Sequence, residues 1–224
     1  MKAWQYIRRH FVRIVICAVL ALASFWAVGV YANYQREQRI AKRIESLGGI
    51  AGFRYCGLDW LPLLTNEDRP FLDRIVWIDL TGSPDPPLSD VGSLTNLEDL
   101  LLKRAGGNDA GLKHLKGLTS LKVLSLNGTQ ITDGGLESIM GSKRLEELFL
   151  NDTQVTNGGL ELLKCLTKLK VLSVINTQIT DAGLQHLNGL TSLELLYLVD
   201  TQTTEAGRSS LRKSLPNCKI YPDP

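Results

Sequence analysis

Three histidines, four cysteines and a column of alternating charges are the side chains whose types would support chemistry in this 224-residue chain. Metal binding or thiol chemistry needs those ligands close together, as in CxxC or HExxH. Cys17, Cys56, Cys165 and Cys218 form no CxxC pair and no CxxC with a downstream HxxxH, which excludes a zinc module and a disulfide-dense scaffold. Cys165 and Cys218 stand about two repeats of the chain apart, beyond disulfide reach unless the C-terminus folds back, so free and mostly buried thiols are expected. His114 and His186 occupy the same place three repeats apart, roughly 14 Å by strand spacing, too far to share a metal. They read as exposed helix residues. GxSxG, HExxH and a phosphate-cradling glycine loop are all missing from the sequence. No catalytic residue, no metal and no cofactor is therefore expected, and the chain reads as a protein that is not an enzyme. Asn127-Gly128-Thr129 and Asn151-Asp152-Thr153 match the glycosylation sequon, but both follow from the repeat itself.

The elements that hold these residues come from a 24-residue repeat that begins at residue 94. Between Leu118–Gly141 and Leu166–Gly189, 15 of 24 positions are identical, including Thr129-Gln130-Ile131-Thr132-Asp133 against Thr177-Gln178-Ile179-Thr180-Asp181. Units start at Leu94, Leu118, Ser142, Leu166 and Leu190, preceded by a shorter one carrying Ile75, Ile78 and Leu80, which makes six. Each unit opens with LxxLxL, a strand whose alternation points Leu124 and Leu126, Leu148 and Leu150, Leu172 and Val174, and Leu196 and Leu198 inward. A helix follows. Thr132, Thr156, Thr180 and Thr204 sit at its N-cap, with Asp133, Asn157, Asp181 and Glu205 beside them at the positive end of the helix. Gly135, Gly159, Gly183 and Gly207 recur where the backbone must pass close to a neighbour. Leu136 and Ile139, Leu160 and Leu163, and Leu184 and Leu187 form the inward stripe. No unit buries both leucine sets alone, so stacked units share one core, and six strands about 4.8 Å apart extend roughly 25 to 30 Å. Departures fall toward the ends: Arg208 replaces a leucine of GLxxL, Leu215 to Ile220 reads as a closing strand, and Ala105-Gly106-Gly107-Asn108 replaces Thr-Gln-Ile-Thr, predicting a looser turn.

The pattern LxxLxLxxTQ[IV]TDxGLxxL resembles the leucine-rich repeats of bacterial membrane-anchored proteins and is similar to the cysteine-containing class of repeats in F-box substrate receptors. The resemblance covers residues 72–221. It implies a curved α/β leucine-rich-repeat solenoid, parallel sheet inside and helices outside, with a non-catalytic, protein-binding role, and it transfers no binding residues. The cysteine of the eukaryotic class is a Thr here, and no F-box-like segment precedes the repeats.

Binding residues must come from the side chains that alternate outward onto the concave sheet face. One column reads Glu98, Lys122, Glu146, Lys170, Glu194, a ladder of cross-strand pairs each worth a few tenths of a kcal/mol. The next columns, Trp77, Asp99, Val123, Glu147, Val171, Leu195 and Asp79, Leu101, Ser125, Phe149, Ser173, Tyr197, put large apolar groups where polar ones would serve, with Ile175 and Val199 at the strand ends. Trp77, Leu101, Val123, Phe149, Val171, Ile175, Leu195, Tyr197 and Val199 are the candidate protein-contact residues. The competing reading is that they dry the sheet by packing on one another or under the preceding helix.

Upstream, residues 14–32 carry no charge over 19 positions, enough to span a bilayer core as a helix. The span is longer than the about 7 to 15 residues of a secretory signal core. An uncleaved anchor is therefore expected, with a cleaved signal as the rival, since Lys2, Arg8, Arg9 and Arg13 in residues 1–13 make a basic leader. Those four tie with Arg36, Arg39, Lys42 and Arg43 in the positive-inside count. A short basic tail ahead of a single span places the repeats on the non-cytoplasmic side of the inner membrane. Ala23-xxx-Ala27 offers the small-residue spacing that would let two anchors pack, so a homo-oligomer is possible, although small residues are common in such helices. Residues 33–49 follow as an amphipathic juxtamembrane helix, with Ile40, Ile44 and Leu47 on one side and Gly48-Gly49 as its stop, read as a solvated stalk. Residues 50–71 make an N-terminal cap with a strand at 50–56 and an apolar turn at Trp60, Leu61, Leu63 and Leu64. Residues 72–215 are the repeats and 216–224 a C-terminal cap.

At 44% hydrophobic, 21% charged and 7% aromatic residues, the composition excludes a disordered tail, a collagen-like fibre and a polytopic membrane protein. Beyond residue 33 the chain holds 21 basic and 23 acidic residues, net −2, which is no nucleic-acid footprint. The expected function is a membrane-tethered module that holds an unidentified protein or peptide on its concave face. Alternatives are a self-associating envelope scaffold and a cytoplasm-facing adaptor.

Overall fold

The structure, a computed structural model, describes residues 28–55 and 73–222. The chain forms two compact units, Met1–Arg39 with Tyr55–Arg74, and Ile40–Arg54 with Ile75–Pro224. In the first, Glu37 is buried on a helix and faces the Arg74 guanidinium at 3.7 Å. The basic tail, residues 14–27 of the expected anchor and the expected apolar turn at Trp60 to Leu64 lie outside the described residues. Among the described residues no helix is long and apolar enough to cross a membrane.

The second unit is the repeat stack. Eight strands make one sheet in chain order: β1 (Ile50–Tyr55), β2 (Asp73–Asp79), β3 (Asp99–Leu101), β4 (Val123–Ser125), β5 (Glu147–Phe149), β6 (Val171–Ser173), β7 (Leu195–Tyr197) and β8 (Lys219–Tyr221). From β2 onward every neighbouring pair is parallel, in a register that matches residues 24 apart from β3 onward. The helix leading in, α1, runs over residues 28–46. Those between strands are short: α2 (Leu88–Val91), α3 (Asp109–Leu112), α4 (Asp133–Leu136), α5 (Asn157–Leu163), α6 (Asp181–Leu184) and α7 (Glu205–Ser214). Three of them continue as 3-10 turns, Lys113–Gly117, Glu137–Ile139 and Gln185–Leu187. A helix is about 10 Å across and strands sit about 4.8 Å apart, so a thin helical side is what lets each repeat stack on the next. Strand and helix leucines fuse into one core in which Leu100, Leu124, Leu148, Leu172 and Leu196 are all fully buried.

The stack is locked on its helix-start side by bonds between repeats. The carboxylate of Asp109 accepts from the Thr132 N–H and hydroxyl, Asp133 does the same for Thr156, and Asp181 for Thr204, with backbone distances of 2.9, 2.8 and 2.7 Å. Asn157 completes the series for Thr180 with reversed polarity, its amide donating to the hydroxyl. The residues after the N-caps thus serve the following repeat rather than their own helix dipole. Glu205 is the exception and pairs with Arg208 and Arg212. The recurrent glycines make room for these carboxylates and, at Gly183, for the Asn157 amide. A Cβ on Gly159 would come within 2.6 Å of both Asp133 Oδ1 and Val155, and one on Gly207 within 2.2 Å of Asp181 Oδ1. Gly159→Ala is therefore expected to cost roughly 1 to 3 kcal/mol by overpacking, measured by denaturant titration, against near-neutrality for Gly189→Ala, which meets nothing within 4 Å.

Two expectations change. The helix at residues 40–46 is no solvated stalk: Ile40, Ala41 and Ile44 are buried in the core, which they cover at its first repeat, and only Leu47 of the predicted stripe is exposed. The helix ends at Gly48 in a left-handed conformation (φ 78°), with the Gly49 N–H donating to the Ile44 carbonyl. The turn at Ala105–Asn108 is no looser than the others. Gly106 donates to the Ser83 carbonyl at 2.8 Å, and Asn108 Oδ1 accepts from Gly111 as an N-cap. A Cβ on Gly106 would sit 1.8 Å from the Pro84 carbonyl, so the sequence change marks a closer approach of backbones.

Candidate functional site

The open face of the sheet is built from the strand positions that alternate with the core leucines. Two rows cross it. One runs Trp77, Asp99, Val123, Glu147, Val171, Leu195, Lys219, and the other Asp79, Leu101, Ser125, Phe149, Ser173, Tyr197, Tyr221. In the second row small residues alternate with large ones, and the serines are buried while Leu101, Phe149 and Tyr197 are half-buried. The large side chains therefore spread over the small ones while keeping an outer surface in solvent. Ser173 does not lie idle under them, since its hydroxyl donates to Asn151 Oδ1 at 2.6 Å.

All nine predicted contact residues fall on this face or at its strand ends, but they do not form one cluster. Phe149, Val171, Leu195 and Tyr197 lie on adjacent strands β5 to β7, with Ile175 and Val199 just past the ends of β6 and β7 and Val123 of β4 diagonal to Phe149. Leu101 is separated from them by Ser125. Trp77 stands apart at the other end, 37% exposed, with its indole over Gly52 of β1, where a Cβ would come within 1.6 Å of Nε1. Tyr221 was not among the predicted residues and extends the cluster, its ring stacked on Tyr197 at 5.1 Å and 11°. The sequence carries the signal, because Tyr221 is Tyr197 plus one repeat of 24, one residue past the closing strand expected at Leu215 to Ile220.

Polar residues frame the cluster. At the strand ends Asn127 Oδ1 accepts from the Asn151 N–H and Asn151 Oδ1 from the Ile175 N–H, both at 2.8 Å. Those bonds account for the two sequon asparagines. Ile175 and Val199 continue the same column with apolar side chains and leave that bonding pattern. The next residues turn the chain in left-handed conformations, Asp152, Asn176 and Asp200 with φ of 56°, 53° and 55°. At the strand starts the predicted charge ladder is broken into two groups. Glu98 is held by Arg54 at 2.8 Å and Lys122 at 3.0 Å, and Glu146 by Lys170 at 2.7 Å. No bridge joins Lys122 to Glu146 or Lys170 to Glu194 among the described residues.

Burial raises the Glu98 pKa, but the bonds from Lys122 and Arg54 outweigh it and hold the carboxyl below its ordinary value. Its neighbour Asp99 is pushed above the ordinary value by burial and then by the Glu98 charge. The two act oppositely on stability. Glu98 contributes above the usual carboxylate range, a contribution lost as pH falls through its lowered value, whereas Asp99 costs stability as pH rises from its unfolded value through its raised one. Asp99→Asn is expected to stabilise the repeats at neutral pH by under about 1 kcal/mol and to have no effect in strong acid, checked by melting curves across pH.

Burial pushes the Cys218 thiol up to about 11, and Cys165 is half-buried with its S–H donated to the Leu162 carbonyl at 3.3 Å. His114 is exposed and His186 half-buried. No group of His, Cys, Asp or Glu able to hold a metal occurs among the described residues.

No protein-family model matches the chain, and no curated protein matches it. Among solved structures the chain is similar to internalin C2 of Listeria monocytogenes, at 24% identity over 70% of this chain and 73% of that one, with a TM-score of 0.54. A leucine-rich-repeat protein of Leptospira interrogans gives 22% identity and a TM-score of 0.42 over 65% of this chain, which spans 48% of that protein's length. With the one-strand, one-helix unit and its buried leucine columns, the first likeness identifies the architecture: the chain has the leucine-rich-repeat fold, α/β units stacked on a parallel sheet.

Proposed function

We propose that the chain is a membrane-tethered, non-catalytic leucine-rich-repeat module that holds a protein or peptide on the open face of its sheet. The observation that carries this reading is the band of half-buried apolar and aromatic side chains in register across β5 to β8, namely Phe149, Val171, Leu195, Tyr197 and Tyr221, with Ile175 and Val199 at its rim. Each of these side chains keeps part of its surface in solvent, and large apolar side chains grouped on an open face are what an interface core is made of. Leu101 and Trp77 extend the surface toward β2. The tether is the uncharged segment 14–32, and the short basic tail before it favours the non-cytoplasmic side for the repeats. The sequence pattern's resemblance to bacterial membrane-anchored repeats agrees with both.

Site-specific photo-crosslinking in cells tests this reading. A benzophenone side chain placed at Tyr197 is expected to give one discrete adduct with another protein, while the same group at Gln185, exposed on the helix side, gives none. Adducts only with further copies of this chain would replace partner binding by self-assembly. Protease digestion of the repeats in spheroplasts, with a cytoplasmic protein as integrity control, tests the side of the membrane. Protection until lysis would reverse it.

A further inference from the structure

The parallel strands and the helices that run back between them place all strand starts and helix ends along one edge of the stack, and all strand ends and helix starts along the other. Charge is divided between these edges. Lys116, Lys143, Arg144, Lys164 and Lys168, all exposed, lie on the first edge in the three successive helix-to-strand turns that lead into β4, β5 and β6. Lys143 Nζ reaches the Cys165 carbonyl at 3.4 Å, so neighbouring turns bring their cations side by side. Acids share this edge: Glu137 and Glu161 on the preceding helical turns, Glu161 paired with Lys164 at 3.2 Å, and Glu98 and Glu146 at the strand starts, which Lys122 and Lys170 take up. The opposite edge carries Asp109, Asp133, Asp152, Asp181 and Asp200, with Lys103 and Arg104 at the end of β3. Helix-end electrostatics accounts for Lys116 and Lys164. It does not account for Lys143, Arg144 and Lys168, which sit in the turns beyond the helices.

We propose that this basic edge docks on anionic phospholipid headgroups. The inference rests on the tethered reading of residues 14–32, which keeps the repeats near a bilayer. Charge complementarity selects the partner. The residues interleaved with these cations are small or polar, Gly117, Thr119, Gly141 and Thr167, and supply no aromatic anchor of the kind that a protein interface uses. A headgroup layer needs only an array of cations, each gaining about 1 kcal/mol near an anionic surface. The tethered module would then stand with its open face turned to the side and its acidic edge away from the membrane.

The test is lysine acetylation, read residue by residue by mass spectrometry, on the full chain in phosphatidylcholine discs with and without phosphatidylglycerol. Lys116, Lys143, Lys164 and Lys168 are expected to react about fivefold more slowly in the anionic discs. Lys103, on the opposite edge, should react equally in both, and high salt should remove the difference. The double variant Lys143→Glu with Lys168→Glu, two exposed positions, should lose the protection of Lys116 and Lys164. Equal rates in the two compositions overturn the proposal, as does protection in neutral discs that grows with protein concentration, which would make the edge a contact between copies. If the chain enters neither disc, the tether has failed, and the same contrast in labelling with added neutral or anionic vesicles still decides the edge.

Discussion

Leu148→Ala is expected to cost the repeat stack roughly 2 to 5 kcal/mol, a large share of the stability of a domain of this size. Leu148 has no exposed surface and is registered between Leu124 and Leu172 in the middle of the sheet. Its truncation leaves a cavity that neighbours fixed by their own 24-residue frames cannot collapse to fill. Stability in a repeat protein is a sum of units and nearest-neighbour interfaces, so damage in the centre also uncouples the two halves. Denaturant unfolding should therefore lose cooperativity as well as midpoint. Truncating Ile220, buried at the last strand, removes an interface on one side only and should shift the midpoint while leaving a single transition. A loss below about 1 kcal/mol for Leu148→Ala would contradict the shared-core description.

Phe149→Asp combined with Tyr197→Asp is expected to abolish partner capture while leaving the fold in place. Both side chains lie on the open face, with part of their surface in solvent, and neither belongs to the buried leucine core. The stability cost should stay near or below about 1 kcal/mol, within the ordinary range for residues outside the core. Binding is another matter. Central aromatic anchors commonly contribute 2 kcal/mol or more, so losing even one weakens binding by about thirtyfold, and a buried carboxylate adds a desolvation penalty. Capture of the photo-crosslinked partner at unchanged level by the double variant would remove the open face as the binding surface. A collapse of the melting transition would show instead that these rings hold the sheet.

The fold was readable because a 24-residue period fixes strand, turn and helix together: once Leu124 and Leu172 fall in one column, register and burial follow without any propensity argument. What the period hides is which neighbour a side chain serves. Asp133 sits at the right place to cap its own helix, yet bonds Thr156 of the next repeat, because stacking brings the two residues together while the sequence keeps them 23 apart. The recurrent glycines read as points of close approach, but the object they make room for, a carboxylate or at Gly183 an amide, belongs to the preceding unit. The charge column failed for a related reason. Equal spacing suggested an unbroken ladder, whereas each lysine has one ammonium and chose the glutamate before it, leaving Glu98 to be shared with Arg54. The stalk reading failed because an amphipathic helix has the same pattern whether its apolar stripe meets solvent-side neighbours or the end of a solenoid. Tyr221 is hidden because the buried apolar positions of the closing strand end at Ile220.

Hydroxyl-radical footprinting of Phe149, Tyr197 and Tyr221 in the full chain, compared between membranes of the cells that make it and the purified protein in detergent, is the most direct measurement. A protein held on the open face should lower the oxidation of these three rings severalfold in the native membranes, with His186 of the helix side oxidised equally in both. Equal oxidation of the three rings in both preparations would contradict a binding face there.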